Sequence, residues 1–239
     1  MGRVRCRQTE GGRRVNFFWF PIEYLPVIIV TMLVAFTVHE FAHAWTAWKF
    51  GDDTAYREGR VTLNPIAHLD WIGMLFLLIG GFGWAKPVPV RRSRFKNPRL
   101  MSILVSVAGP ISNLLLAFLM LFVLDLLSAL KVIHTISEQM IIFMQYWVTI
   151  NLTLLLFNLI PIPPLDGYRV LEEFLPIRTR IKIQEMAQWT TFLFLLIIFI
   201  PPLRSVTIGP VLSLSTPIVH GMVRVLDVLF GAAGGSIFG

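Results

Sequence analysis

Long apolar runs restrict the fold of this chain more than any other feature of its sequence. Four of them cover residues 24–48, 100–130, 140–160 and 187–203. A helix needs about 20 mostly apolar residues to span the hydrocarbon of a bilayer, and only helices and closed barrels satisfy their backbone hydrogen bonds there. Because 55% of the residues are hydrophobic and only 15% are charged, we expect an all-α integral membrane protein, a polytopic helical bundle in a lipid bilayer.

The net charge of +7 comes from basic residues in short segments between the apolar runs. Basic loops of this kind orient a membrane protein, so no nucleic-acid partner is expected. Cys6 is the only cysteine, which excludes an intrachain disulfide and a metal site made of thiolates. Any bound metal must therefore be held by histidines and carboxylates.

No stretch outside the apolar runs is long enough to bury a separate soluble core. The sequence therefore predicts a single membrane-embedded domain over residues 1–239. Residues 1–16 form a basic tail. Residues 206–239 are only moderately apolar, and we expect an amphipathic helix or an additional membrane helix there.

A short re-entrant or β-edge segment is expected near residues 80–90. The apolar run at residues 71–84, at about fourteen residues, is too short for a comfortable span, and it is rich in glycine. We expect it to re-enter the membrane without crossing it, because irregular backbone at that depth is tolerated against protein or a watery cavity. The proline-punctuated residues 85–90 are typical of an exposed edge strand, which can hold an extended peptide.

His39, Glu40 and His43 lie in the second half of the first apolar run. Positions i and i+4 of a helix share one face, so the two imidazoles can bind one metal ion while Glu40 lies beside them as a base. Ionisable residues at membrane depth are costly and are usually functional. The pattern therefore favours a zinc site over a hydrogen-bonded polar cluster.

A catalytic zinc normally takes three protein ligands and a water, so a third ligand is needed. Asp166 is the best candidate, because it follows an uncharged helix on a proline-bent segment and precedes Gly167. A short carboxylate at this point can be aimed back into the bundle. Asp166 can equally be an N-cap for the helix that follows, and its position alone does not decide between the two roles.

Three motifs resemble those of the site-2 protease family of intramembrane metalloproteases. They are His-Glu-Phe-Ala-His at 39–43, Ala-Gly-Pro-Ile-Ser-Asn at 108–113, and the segment 158–167 that ends in Leu-Asp-Gly. The resemblance implies that Asp166 is the third ligand of one Zn²⁺ per chain. It further implies that a set of residues helps to position the substrate backbone near the metal, namely Asn158, Pro161 and Pro163.

The activity implied by this resemblance is hydrolysis of peptide bonds within or next to the transmembrane segments of membrane-protein substrates. Zinc would activate a water, and Glu40 would take the proton of that water and pass it to the leaving amine. The alternative is a non-catalytic zinc-binding membrane protein or a metal transporter. Transporters commonly show duplicated halves, and the sequence contains no visible internal repeat.

Residues 63–70 and 83–90 resemble a small bacterial and archaeal branch of the family without an appended PDZ or CBS domain. This likeness implies a multi-pass protein of a prokaryotic cell membrane. His68 and Asp70 can form a second layer of the site or an entry site, but a capped polar turn is the favoured interpretation. Asn113 is either a hydrogen-bond donor to the oxyanion or a helix-packing residue.

The basic loop at residues 86–99 has six basic residues and no acidic one, which places it in the cytoplasm. If residues 71–84 are re-entrant, the first helix enters from outside and the metal site lies toward the cytoplasm. The arginines of the tail at 1–16 then lie outside, against the positive-inside trend. A full span at 71–84 would remove this conflict but would move the site outward, and the re-entrant interpretation is preferred.

Overall fold

The computed structural model describes residues 22–80 and 83–230 of the chain. The basic tail at residues 1–16 lies outside these residues, as do residues 231–239. Within the described part the α-helices follow in this order: α1 (Leu25–Lys49), α2 (Thr54–Arg57), α3 (Trp71–Gly80), α4 (Pro98–Ala129), α5 (Glu138–Asn158), α6 (Asp166–Glu172), α7 (Ile177–Glu185), α8 (Ala187–Phe199), α9 (Pro201–Thr207), α10 (Gly209–Ser213) and α11 (Ser215–Phe230).

Four helical segments in the described residues are long and apolar enough to cross a membrane. They are α1, α4, α5 and the segment Gly209–Val228, which joins α10 to most of α11. This confirms the all-α polytopic fold. The helix expected within residues 206–239 therefore corresponds to Gly209–Val228.

The span expected at residues 187–203 is wrong in its length. Helix α8 has only 13 residues, and the chain is extended at Ile200 before α9 begins at Pro201. A residue that precedes proline is biased away from the helical conformation, so Pro201 ends α8 well before a span is complete.

Helices α1, α4 and α5 pack together as the centre of the bundle. On one side, Ile28, Met32 and Ala35 of α1 contact buried apolar residues of α5. On the other, Ala117 and Leu121 of α4 form a second cluster with α5 and α11. Small side chains at these contacts let the helix backbones approach closely, as in other membrane bundles.

The chain between α1 and α4 leaves and returns at the same end of α1. Asp52, just after α1, is fully buried and accepts a hydrogen bond of 2.5 Å from the Arg91 N–H. Its neighbour Asp53 forms an ion pair with Arg94. Because both ends of this segment meet there, α3, with ten residues, does not carry the chain across the bilayer, as the re-entrant interpretation requires.

The expected β-edge is an extended segment rather than a strand. Residues 83–91 run without helical structure, and a single antiparallel bridge joins Leu69 to Ala85. Gly73 of α3 allows this close approach, because a Cβ at that position would lie 2.1 Å from the Trp84 carbonyl oxygen. The residues that the structure describes contain no further β-pairing.

Loss of the Asp52 carboxylate should lower the free energy of unfolding of the protein. In the variant Asp52→Ala the Arg91 N–H and the Thr54 N–H and hydroxyl lose their acceptor, so we expect a loss of about 2–3 kcal/mol. The matched change Asp53→Ala removes only a partly exposed ion-pair partner and should cost less than about 1 kcal/mol. Thermal unfolding of the purified protein in detergent measures both, and equal shifts would contradict the role given to Asp52.

Candidate metal centre

Helix α1 presents both histidines on its buried face. Ala35, His39 and His43 follow at intervals of four residues, and the two histidines are 5% and 7% exposed. Residues four apart on a helix lie one above the other, so the imidazoles point into the same space. Their Nε2 atoms are 3.0 Å apart.

Asp166 reaches this space from α6. Its Oδ2 atom lies 3.1 Å from Nε2 of His39 and 3.2 Å from Nε2 of His43. Asp166 is the first residue of α6, Leu165 occupies the N-cap position, and no side chain caps this helix. The geometry therefore favours the ligand role over the capping role that the sequence left open.

Gly167 lets α6 start directly against the end of α5. A Cβ on this residue would lie 2.3 Å from the Leu159 carbonyl oxygen and 2.7 Å from that of Ile160. No larger residue fits this position without a shift of backbone. Because Gly167 permits close contact between the start of α6 and the end of α5, the preceding residue, Asp166, lies next to the two histidines.

The outer nitrogens of both imidazoles are hydrogen-bonded in a way that fixes their tautomers. Nδ1 of His43 lies 2.7 Å from the Val105 carbonyl oxygen, which can only accept a hydrogen bond. Nδ1 of His39 lies 2.7 Å from Oδ1 of Asn113. Both Nδ1 atoms are therefore donors, and in the neutral imidazole each Nε2 atom carries the lone pair.

The orientation of Asn113 follows from its other partners. Its amide nitrogen donates to the Ala35 carbonyl oxygen at 3.4 Å and to Oδ1 of Asn151 at 3.0 Å. The Asn151 amide nitrogen donates in turn to the Trp147 carbonyl oxygen. Because this chain of amides ends at carbonyls that can only accept, Oδ1 of Asn113 must face His39.

Three lone-pair donors thus meet in a buried space. They are the Nε2 atoms of His39 and His43 and a carboxylate oxygen of Asp166. Such an arrangement is repulsive unless a cation or a proton lies among the three atoms. Two histidines and a carboxylate suit zinc, and ligands at about 2.0–2.1 Å around a tetrahedral zinc are about 3.3 Å apart. The observed separations of 3.0–3.2 Å fit this donor set.

Gly109 of α4 leaves the room that this centre needs. A Cβ on this residue would lie 2.3 Å from Nε2 of His43 and 2.6 Å from Cε1 of His39. The motif at 108–113 contains Gly109, but no role was assigned to it from the sequence, because nothing local shows that α4 crosses α1 at this residue. In the sequence, the position of Gly109 next to Pro110 was the only indication that this residue could have a special role.

Glu40 lies beside the centre and is only half-buried. Its carboxylate makes no hydrogen bond or ion pair with another residue that the structure describes, although its charge acts on Arg60 and His68. A carboxylate that is not engaged in this way is available to a water or a substrate.

The other predicted residues lie farther out or behind the centre. Asn113 is fully buried and uses its amide hydrogens within the bundle, which favours the packing alternative over contact with substrate. Asn158 is half-buried and donates to the Leu154 carbonyl oxygen at 2.9 Å. Pro161 is exposed and Pro163 half-buried on the segment that leads to Asp166, and no hydrogen bond links Asn158 to the two histidines.

His68 and Asp70 belong to a polar turn, as favoured from the sequence. Oδ1 of Asp70 accepts hydrogen bonds from the N–H groups of Ile72 and Gly73 at the start of α3. His68 is 1% exposed, and its Nε2–H donates to the Thr62 carbonyl oxygen at 2.8 Å. Neither residue contacts the three lone-pair donors.

Comparison with known proteins identifies the family of this chain. The profile of peptidase family M50 matches residues 27–143 and 126–200. The chain belongs to peptidase family M50. This is the site-2 protease family, so the resemblance noted from the three motifs is confirmed.

Several relatives cover most of the chain. A Bacillus subtilis protein named "Putative zinc metalloprotease YwhC" is 47% identical over 200 residues, which cover 83% of this chain and 91% of that protein. A Mycobacterium tuberculosis H37Rv protein named "Putative zinc metalloprotease Rip2" is 35% identical over 190 residues, which cover 76% of this chain and 71% of the relative. No solved structure is significantly similar to this chain.

A methyl group at Gly109 should prevent metal binding. In Gly109→Ala the new Cβ would occupy space against both imidazoles, so we expect zinc affinity to fall by at least about a hundredfold. Metal content after dialysis, measured by mass spectrometry, reports this. The control Gly221→Ala adds the same methyl group to α11, where no atom lies within 4 Å, and should keep its metal. Full zinc occupancy in Gly109→Ala would refute the assignment of the site.

Proposed function

We propose that this protein is an intramembrane zinc metalloprotease that hydrolyses peptide bonds within or next to the transmembrane segments of membrane-protein substrates. The observation that carries the proposal is the convergence of His39, His43 and Asp166 on one buried point, each with a possible ligand atom turned toward the others. Membership of family M50 and relatives named as zinc metalloproteases support it. The four candidate spans supply the membrane setting.

His39, His43 and Asp166 would hold one Zn²⁺ per chain. When bound, zinc lowers the pKa of its water ligand and polarises the carbonyl of a peptide bond. Val105 and Asn113 fix the ring orientation of the two histidines through their Nδ1–H groups. Partners of this kind orient metal ligands and raise their basicity.

Glu40 is the proposed general base. It follows His39 directly in α1, and its carboxylate has no competing partner among the described residues. We assign to it the transfer of a proton from the attacking water to the amine that leaves.

The extended segment at residues 83–90 is the proposed binding element for substrate. A transmembrane helix hides its peptide bonds in internal hydrogen bonds, so the substrate must unwind locally before cleavage. Lys86 donates its N–H to the His68 carbonyl oxygen, and successive residues of an extended chain face opposite edges. Ala85 therefore turns its N–H and C=O to the other edge, where an unwound peptide can pair by strand addition.

Residues near the end of α5 complete the proposed substrate path. Asn158 ends α5, and Pro161 and Pro163 lie between it and Asp166. These three residues would help to place the substrate backbone near the metal. We further propose that the protein is one membrane-embedded domain of a prokaryotic cell membrane. The basic loop at 86–99 would face the cytoplasm, and the metal centre would lie toward that side.

Glu40→Gln separates a protease from a zinc-binding protein or a metal transporter. The amide cannot take a proton from water, but it leaves the three ligands intact. We expect wild-type zinc content and a loss of cleavage of a model single-span peptide by at least about a thousandfold. Glu138→Gln, at the exposed start of α5, is the matched control and should cleave normally. A wild type that never cleaves, or a Glu40→Gln variant that cleaves equally well, would exclude the protease.

Ala85→Pro tests strand addition. Proline removes the one N–H that Ala85 offers at the outer edge, and its neighbours Pro87 and Pro89 have none. We expect cleavage of the model peptide to slow about tenfold relative to Ala85→Ser, which changes the side chain but keeps the N–H. Equal rates in the two variants would remove strand addition from the mechanism and leave the metal chemistry in place.

A further inference from the structure

Two segments that the metal site does not use lie against each other in the structure. Residues 63–70 and 83–90 are both distinctive in the sequence, and each lacks a metal ligand. Leu69 and Ala85 face each other in an antiparallel bridge, and the Lys86 N–H donates to the His68 carbonyl oxygen at 2.9 Å. A single bridge is little support for an element that has to hold a substrate, because an isolated strand pair is marginally stable at best.

The Arg60 side chain supplies additional support between these segments. Arg60 is 3% exposed, and its guanidinium donates one hydrogen bond to the Ala67 carbonyl oxygen and one to the Lys86 carbonyl oxygen. One acceptor lies in each segment. A planar guanidinium holds two acceptors in a fixed geometry, which the single ammonium of a lysine does not. Arg60 therefore ties the two segments to each other.

His68 closes the turn on which Arg60 acts. Its Nε2–H donates to the Thr62 carbonyl oxygen, so the turn between Thr62 and His68 is held at both ends. Burial lowers the pKa of His68, and the ring is neutral at physiological pH. The only positive charge buried among these groups in the described structure is that of Arg60.

The joined segments lie against the face of α1 that carries Glu40. Phe36 and Thr37, one turn before Glu40, line a small cavity together with Leu69, Trp84 and Ala85. Residues three and four apart share a helix face, so this cavity adjoins Glu40. The charge of Glu40 acts on both Arg60 and His68, which agrees with this placement.

We propose that Arg60 is a positioning residue, which fixes the extended segment beside Glu40 and thereby sets the register of the unwound substrate peptide. This role rests on the proposed protease function and on strand addition. Arg60 does not contact the reacting atoms. If its hold on Lys86 is loosened, the segment and the peptide paired with it can shift along α1. Slippage of a paired strand by two residues keeps the same side chains facing the same way.

The variant Arg60→Lys tests this role with a single-span peptide in vesicles of phosphatidylethanolamine and phosphatidylglycerol. We expect KM to rise about tenfold or more while kcat stays within about threefold, because binding is lost equally in the ground state and the transition state. Mass spectrometry of the products should show a second cleavage site two residues from the first. Arg57→Lys, whose side chain is 71% exposed, is the control and should keep one site and the wild-type KM.

A disulfide rescue distinguishes positioning from general stability. Leu69→Cys and Ala85→Cys, combined with Cys6→Ser and Arg60→Lys, place two cysteines at the bridge, within reach of each other. The protein is purified in the oxidised form, and half of the sample is then reduced. The two halves come from the same folded preparation, so they can be compared even if Arg60→Lys alone does not fold. The same cysteine pair with Arg60 retained is the reference. Oxidation should restore the KM of the reference and cleavage at a single site. Reduction should raise KM again and bring back the second cleavage site.

The outcomes separate this proposal from the proposed function. If the wild type cleaves but Arg60→Lys keeps its KM and its single site, the positioning role is wrong and the protease assignment stands. A raised KM that persists in the oxidised form, with zinc bound, also overturns the positioning role. A wild type that binds zinc and cleaves no peptide refutes the proposed function instead.

Discussion

The structure of this site depends on the hydrogen bonds that turn the Nδ1 atoms of His39 and His43 toward α4. Asn113 accepts one of them and Val105 the other. Without these acceptors each imidazole could rotate or change its tautomer, and its lone pair would be lost to the metal centre. Because Gly109 lies on the same helix and leaves room for both rings, the contact between α1 and α4 determines whether a centre can exist at all.

Local patterns in the sequence predicted the parts of the site that depend on one helix. His39, Glu40 and His43 follow from the helical repeat alone, and the apolar runs predicted α1, α4 and α5. Asp166 needed the family resemblance, because the direction of a proline-bent segment is not encoded in its spacing. The prediction of a span at residues 187–203 was wrong, because it rested on apolar composition alone and did not take into account that Pro201 ends the helix.

Residues whose roles depend on contacts distant in the sequence could not be found in this way. Gly109 matters only because α4 crosses α1 at that residue, and Arg60 only because residues 67 and 86 meet in space. A single glycine or arginine carries no periodic signal. The turn around His68 was interpreted correctly as structural, but its partner at residues 83–90 was visible only as a separate motif, and nothing in one sequence showed that the two touch.

Hydrogen bonds and ion pairs just after the carboxyl-terminal end of α1 hold together the elements that the chemistry needs. Asp52 and Asp53 bind the loop that leads into α4, while Arg92 of that loop binds the buried Glu173 just after α6. Helix α6 carries Asp166, so one loop connects the end of α1 to the third ligand. The segment held by Arg60 precedes this loop directly. The metal centre and the proposed peptide-binding segment therefore share α1 and this loop as a common frame.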